Sequence, residues 1–260
     1  MKKGIYFGTL PTSLPEERRL ELVKEAGFDG VELPQSPEAR TTEKLAEMAR
    51  NVGLEISSMM CTTNWPSPIS SPDESVRMEG VAGVKAGLEQ AQAVGAEVLL
   101  VVPGLVNEDV RYSAAYEIAQ RSLRELAPVA ESAGVVMGIE NVWNKFLLSP
   151  LEMRDFIDSI ESPYVQAYLD VGNMLIWGYP HHWVEILAER IKKVHVKDFE
   201  TNTRTFVGLL AGSVDFPRVM NALRGVGYDD YLTAEVSSYP QYPEQWIRDI
   251  GGQMEAIVRS

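Results

Sequence analysis

Val135-Val136-Met137-Gly138-Ile139-Glu140 and Tyr231-Leu232-Thr233-Ala234-Glu235-Val236 decide how this chain is read. In the first stretch the odd positions are all bulky and apolar, while the even ones include Gly138 and end in Glu140. In the second, Leu232, Ala234 and Val236 share one face, and Tyr231, Thr233 and Glu235 share the other. Side chains of a strand point alternately to opposite faces, so each stretch reads as a strand with one apolar face and one face that ends in a carboxylate. Val194 and Val196 oppose His195 and Lys197 in the same way, and Leu169 and Val171 oppose Asp170.

Outward from these four, β-rich runs alternate with amphipathic stretches along the whole chain. Strands are expected at Ile5 to Gly8, Gly30 to Leu33, Leu54 to Cys61, Glu97 to Val102, Val135 to Glu140, Val165 to Asp170, Val194 to Lys197 and Tyr231 to Val236. Helices are expected at Glu16 to Ala26, Glu38 to Val52, Pro72 to Val94, Tyr112 to Ala133, Pro150 to Ser159, His182 to Ala188, Phe216 to Arg224 and Pro243 to Val258. Gly27, Gly53, Gly95, Gly134 and Gly227 stand just beyond helix ends, where a left-handed residue closes the last turn. Strands joined by helices pair in parallel. Eight strand-helix units in 260 residues predict a (β/α)₈ TIM barrel, an α/β fold of about 250 residues, as one domain over 1–260, with a doubly wound open sheet as the competing arrangement.

In such a barrel the apolar faces meet the helices and the polar faces point to the axis. Glu140, Asp170, His195 and Glu235 stand at the C-terminal ends of strands five to eight, the end of the barrel where chemistry is placed. Three carboxylates and an imidazole crowded together repel one another and lose hydration, so they call for a cation. The donor set suits Mn²⁺, Mg²⁺ or Co²⁺, and Zn²⁺ also accepts it. A solvated acidic rim is the alternative reading.

Composition excludes other classes. With 37 acidic against 24 basic residues the formal charge is −13, which repels phosphate backbones and anionic membrane surfaces, so neither nucleic acid nor membrane is an expected partner. No stretch approaches the ~20 apolar residues of a bilayer span. The N-terminal apolar run ends at Leu10 and reads as too short for a secretory leader. The single Cys61 makes no internal disulfide, which fits a reducing, cytoplasmic setting, and it reads as a buried filler.

The segments Gly138-Ile-Glu-Asn141, Leu169-Asp-Val-Gly-Asn173, Val194-His-Val-Lys-Asp198 and Gly212-Ser-Val-Asp-Phe216, followed by Gly227-Tyr228 and Ala234-Glu235, resemble the sugar phosphate isomerase/epimerase group of the xylose isomerase-like barrels. The resemblance implies one divalent metal held by Glu140, Asp170, His195 and Glu235, with Glu140 and Glu235 also catalytic. Related apurinic endonucleases hold three zinc ions with many histidines; here only His181, His182 and His195 exist, and Asn173 stands where one of those ligands would be. Ketohexose 3-epimerases carry a second carboxylate six residues after the first metal Glu, where this chain has Phe146. The wording Asp-Val-Gly-Asn is closer to the pentulose- and hexulose-phosphate 3-epimerases.

The chemistry implied is proton transfer next to the carbonyl of a small sugar or sugar phosphate, giving epimerisation or aldose-ketose isomerisation. A dehydratase acting on a keto-polyol and a non-catalytic carbohydrate-binding barrel are the other readings. Lys197, on the same face as His195, is a candidate substrate contact or a partner for a nearby carboxylate. Arg204 lies in the long segment from Phe199 to Asp215, where loops often act as lids. Tyr6 and Trp65 are candidate walls of the site or core aromatics, Asn173 a candidate polar contact, and Glu32 either a partner for a sugar hydroxyl or half of a structural ion pair. Relatives often pair, and a helical exterior would permit a homo-oligomer.

Overall fold

The computed structural model describes residues 1–260. Ten strands occur in chain order: β1 (Lys2–Tyr6), β2 (Gly30–Pro34), β3 (Glu55–Met60), β4 (Val98–Val101), β5 (Val136–Glu140), β6 (Val165–Asp170), β7 (Ile191–Val196), β8 (Asp198–Glu200), β9 (Thr205–Val207) and β10 (Tyr231–Ala234). β8 and β9 pair only with each other; the remaining eight are parallel and close in the order β1-β10-β7-β6-β5-β4-β3-β2. Closure excludes the open doubly wound sheet. The outer helices are α1 (Glu16–Glu25), α2 (Ala39–Asn51), α3 (Glu74–Ala93), α4 (Tyr112–Ala133), α5 (Pro150–Asp158), α6 (Pro180–Leu187), α7 (Phe216–Gly225) and α8 (Pro243–Arg259). None is long and apolar enough to cross a membrane.

The two strand faces fill two separate cores. Ile139, Leu169, Val194 and Leu232 point outward and pack with helix residues such as Leu123, Phe156, Val184 and Ile247 in the large layer between sheet and helices. Val98, Leu100, Val102, Val142 and Tyr168 form a small cluster of their own, with Met60 and Val136 against it. The β4 sequence Val98-Leu99-Leu100-Val101 thus divides its residues between the two clusters by strict alternation, as inward and outward faces of a barrel require. The helix-closing glycines are in the left-handed region; Gly134, at φ +67, receives the end of α4.

Some boundaries differ from the sequence expectation. β1 starts at Lys2 instead of Ile5, and Phe7 to Thr9 form a 3₁₀ turn. The two lysines hide this strand start because their charges are met: Lys2 Nζ lies 2.6 Å from Glu55 Oε2, and Lys3 Nζ lies 2.6 Å from Glu255 Oε2. β7 likewise begins at Ile191, its buried Lys193 lying 2.7 Å from Asp230. α6 starts at Pro180 rather than His182, a proline at N1 costing no hydrogen bond there. The long segment after β7 is not plain loop, since β8 and β9 make it an antiparallel hairpin. The N-terminal ends of the strands enclose a cavity of about 660 Å³ lined by ion-paired residues including Lys2, Glu55, Lys193 and Asp230.

Candidate metal centre and cleft

The register of the last barrel strands brings the polar residues together. Asp170 is the partner of His195 across β6 and β7, His195 is the partner of Thr233 across β7 and β10, and Glu235 follows Thr233 by two, on the same face. Glu140 closes β5 beside Tyr168 of β6. One ligand atom from each of Glu140, Asp170, His195 and Glu235 can be chosen so that all lie within 4.8 Å of one another. Asp170 and His195 are fully buried and Glu140 nearly so; the Glu235 side chain keeps 20% of its surface.

Each member of the group is held from behind. His195 places Nδ1 3.0 Å from both Glu140 Oε1 and Glu235 Oε2, while its Nε2 sits 2.9 Å from Glu32 Oε1. The other Glu32 oxygen accepts from the Ser58 and Tyr168 hydroxyls, each at 2.5 Å. Asp170 Oδ1 accepts the backbone amides of Gly172 and Asn173 at 2.9 and 2.8 Å, which leaves Oδ2 facing the cluster. Asn141 braces the Asp170 backbone from both sides, donating to its carbonyl at 3.0 Å and accepting from its amide at 2.9 Å. Lys197 Nζ lies 3.0 Å from Asp170 Oδ2 and 2.7 Å from Glu235 Oε2. Those two buried oxygens have Lys197 at ion-pair distance but no hydrogen bond of good geometry.

This electrostatic arrangement fits a divalent cation. Two buried carboxylate oxygens without a hydrogen bond, a third carboxylate and the His195 Nδ1 edge converge on one small space, and they are the oxygen-rich, single-nitrogen set that Mn²⁺, Mg²⁺, Co²⁺ or Zn²⁺ accepts. Glu32 on Nε2 fixes the ring so that Nδ1 is presented inward, the usual role of a carboxylate behind a metal-binding histidine. Burial pushes the Glu140 carboxyl up to about 7, against the opposing pull of His195. Burial acts on Glu235 in the same direction, but His195 and Lys197 outweigh it and bring that carboxyl down to about 2. For His195 and Lys197 burial favours the neutral form, yet the surrounding carboxylates win and both are raised.

Two cavities open on this cluster. One of about 410 Å³ is lined by Tyr6, Trp65, Trp143 and Asn173, among others, and one of about 400 Å³ lies between the hairpin and α8, lined by residues including Thr9, Ser237, Tyr239 and Trp246. Lys197, Phe206 and Glu235 border both. Of the residues expected at the site, Tyr6, Trp65, Asn173 and Lys197 line the cleft together with Glu140 and Glu235. Glu32 does not: fully buried and saturated by His195, Ser58 and Tyr168, it holds the imidazole and cannot reach a sugar hydroxyl. Arg204 stands exposed at the hairpin turn, at φ +56, and lines neither cavity. Cys61 borders the first cavity but is buried, and burial pushes its thiol up.

Sequence reasoning missed several residues that shape this cleft. Trp143 stacks on Phe206 at 4.8 Å and meets Phe199 edge-on at 5.3 Å, and its Nε1 donates to the Asn173 carbonyl at 2.8 Å. No strand pattern marks Trp143 or Phe206, which lie beyond the barrel. Behind the cleft, Tyr168, which holds Glu32, had a signal: it precedes Asp170 by two and so shares its inward face.

The chain belongs to the xylose isomerase-like TIM barrel family, whose pattern matches residues 20–255. In sequence the chain is 28% identical over 244 residues to the L-ribulose-5-phosphate 3-epimerase UlaE of Salmonella heidelberg, covering 86% of this chain and 83% of that one. In structure it is similar to D-psicose 3-epimerase from Clostridium cellulolyticum H10, with a TM-score of 0.84 at 18% identity over 100% of this chain and 98% of the other. It is equally similar to the 3-keto-D-glucoside 4-epimerase YcjR of E. coli, with a TM-score of 0.84 at 18% identity and 100% of both chains covered.

Proposed function

We propose that this chain is a divalent-metal-dependent ketose 3-epimerase, with Glu140, Asp170, His195 and Glu235 as metal ligands and the two glutamates as proton carriers. The observation that carries the reading is the placement of two carboxylates on either side of the site: β5 and β10 are separated in the barrel by β6 and β7, so Glu140 and Glu235 flank the Asp170–His195 pair. The names of the relatives agree with it, and each describes an epimerase.

A bound divalent ion would supply Lewis acidity to a carbonyl and the hydroxyl beside it. Glu235, paired with Lys197 at 2.7 Å, takes the proton from the carbon next to the carbonyl, and the electron pair left behind delocalises into that carbonyl. Glu140, on the other side of the Asp170–His195 pair, gives a proton to the opposite face, inverting the centre. Lys197, between Asp170 and Glu235, offsets negative charge that builds on the substrate oxygens. Trp143, Trp65 and Tyr6 wall off water.

The test is a panel of ketoses incubated in deuterated water with the Mn²⁺-loaded protein, with and without chelator. Solvent deuterium should enter at carbon 3 with formation of the 3-epimer, and chelation should stop it. A product short of one water, or no exchange with any ketose, refutes the proposal.

A further inference from the structure

The names of similar proteins point both to a phosphorylated and to unphosphorylated substrates. The charges in the cleft separate these. Lys197 is the only basic residue lining either cavity, and it is already engaged by Asp170 and Glu235. With a divalent ion bound and His195 neutral as its ligand, the four carboxylates of Glu32, Glu140, Asp170 and Glu235 still exceed the three positive charges supplied by Lys197 and the ion. The whole chain adds a field of −13.

The fold's usual anion site does not offset this balance. In (β/α)₈ barrels phosphate is held by the loops after the seventh and eighth strands and the helix N-terminus there. Here those loops border the cavity of about 400 Å³. Neither amide end of the helices that follow lines that cavity: that of α7 is capped by Asp215, which accepts the Arg218 amide, and the first turn of α8 carries Pro243, which has no N–H, and Glu244. Beyond Lys197, Asp198 and Glu235 at its inner end, the polar groups and rings that the cavity offers are neutral: the Thr9 and Ser237 hydroxyls, the Gln253 amide and the aromatic faces of Phe206, Tyr239 and Trp246. Hydroxyls, an amide and aromatic faces match the hydroxyl and C–H edges of a sugar.

We infer that the cleft selects an uncharged ketose, free or glycosidically extended, over its phosphate ester, and that the cavity between the hairpin and α8 receives the uncharged end of that substrate. The inference rests on the proposed metal site for its charge balance and on the proposed proton transfer for its kinetic readout.

The test uses matched pairs of ketopentoses and ketohexoses, free and phosphorylated, with the Mn²⁺-loaded protein. Carbon-3 proton exchange gives kcat/KM, and calorimetry gives binding. The free sugar should exceed its ester by about tenfold or more in kcat/KM and bind more tightly, as like-charge juxtaposition requires. Inorganic phosphate should not compete. An ester that matches or beats the free sugar, competition by inorganic phosphate, or a panel in which no free ketose binds overturns the inference. If sugars bind but none exchanges its proton, the epimerase reading fails while the binding order still decides this one. Gln253→Arg adds a cation to the α8 side of the cavity and should narrow the gap between ester and free sugar. An unchanged gap overturns the placement of the substrate's end.

Discussion

Replacing Glu32 by glutamine tests how the centre is built, because Glu32 touches no cavity yet should set metal affinity. Its carboxylate faces three groups: His195 Nε2 at 2.9 Å, and the Ser58 and Tyr168 hydroxyls at 2.5 Å. As an acceptor-only anion it draws the imidazole proton to Nε2 and leaves the Nδ1 lone pair toward Glu140 and Glu235. Glutamine keeps the volume, so no hole opens. If its oxygen stays with the two hydroxyls, its NH₂ faces Nε2 and favours the tautomer with the proton on Nδ1, where a metal must bind. If it flips, the NH₂ faces two hydroxyls that were donating. Either arrangement forfeits one charge-assisted hydrogen bond, about 1.5–3 kcal/mol, in a site with no solvent to screen it. The loss falls on the ligating form, so Mn²⁺ affinity should drop about 10- to 100-fold. Chelator competition followed by the electron paramagnetic resonance of free Mn²⁺ measures this, with circular dichroism showing the fold retained. An affinity equal to that of the unaltered protein would refute the assignment of Nδ1 as the metal edge.

Other expectations follow from the same geometry. In the metal-free protein His195 is raised and Glu140 stands near 7 against 4.5, so both hold protons more tightly than in the unfolded chain; their contribution to stability is full at low pH and fades as pH rises through the folded values. A divalent ion competes for those sites, so the Tm gain from Mn²⁺ should grow between about pH 5.5 and about pH 8, and a gain that shrinks over this range would contradict it. Asp198→Ala strips the acceptor shared by the amides of Phe199, Gly212 and Val214 at 2.9, 2.9 and 3.1 Å, and should cost about 2–4 kcal/mol in denaturant unfolding while loosening the hairpin to protease. Phe206→Ala removes the wall common to both cavities and the partner of Trp143; KM should rise by about tenfold with Mn²⁺ affinity unchanged, whereas a matching loss of metal would show a structural role instead. Cys61, buried with its thiol raised, should resist alkylation at neutral pH in the folded protein and react on unfolding; rapid labelling of the native state counts against the closed packing.

How much could be read in advance depended on what each residue answers to. Glu140, Asp170, His195 and Glu235 obey the two-residue period of their own strands, which is local, and the parallel register does the rest. Glu32 also lies on an inward face, but its depth is not local. The register between β2 and β3 shifts after Val31, so that Glu32 pairs with Ser58, and the stagger of strands around the barrel sets it behind His195, one layer down. The starts of β1 and β7 were obscured because Lys2, Lys3 and Lys193 look like loop residues until their partners Glu55, Glu255 and Asp230 are in view. The hairpin was invisible for a related reason. Its anchor, Asp198, is tied to the amides of Gly212 and Val214, and no pattern of apolar residues announces a contact between a carboxylate and a distant backbone.

The hairpin leaves the barrel one residue after Lys197 and two after the last residue of β7, and the carboxylate that anchors it is satisfied almost entirely by main-chain amides. Insertions or deletions at its tip would therefore leave Glu140, Asp170, His195 and Glu235 in place at their strand ends while redrawing the partition that Phe206 makes between the two chambers.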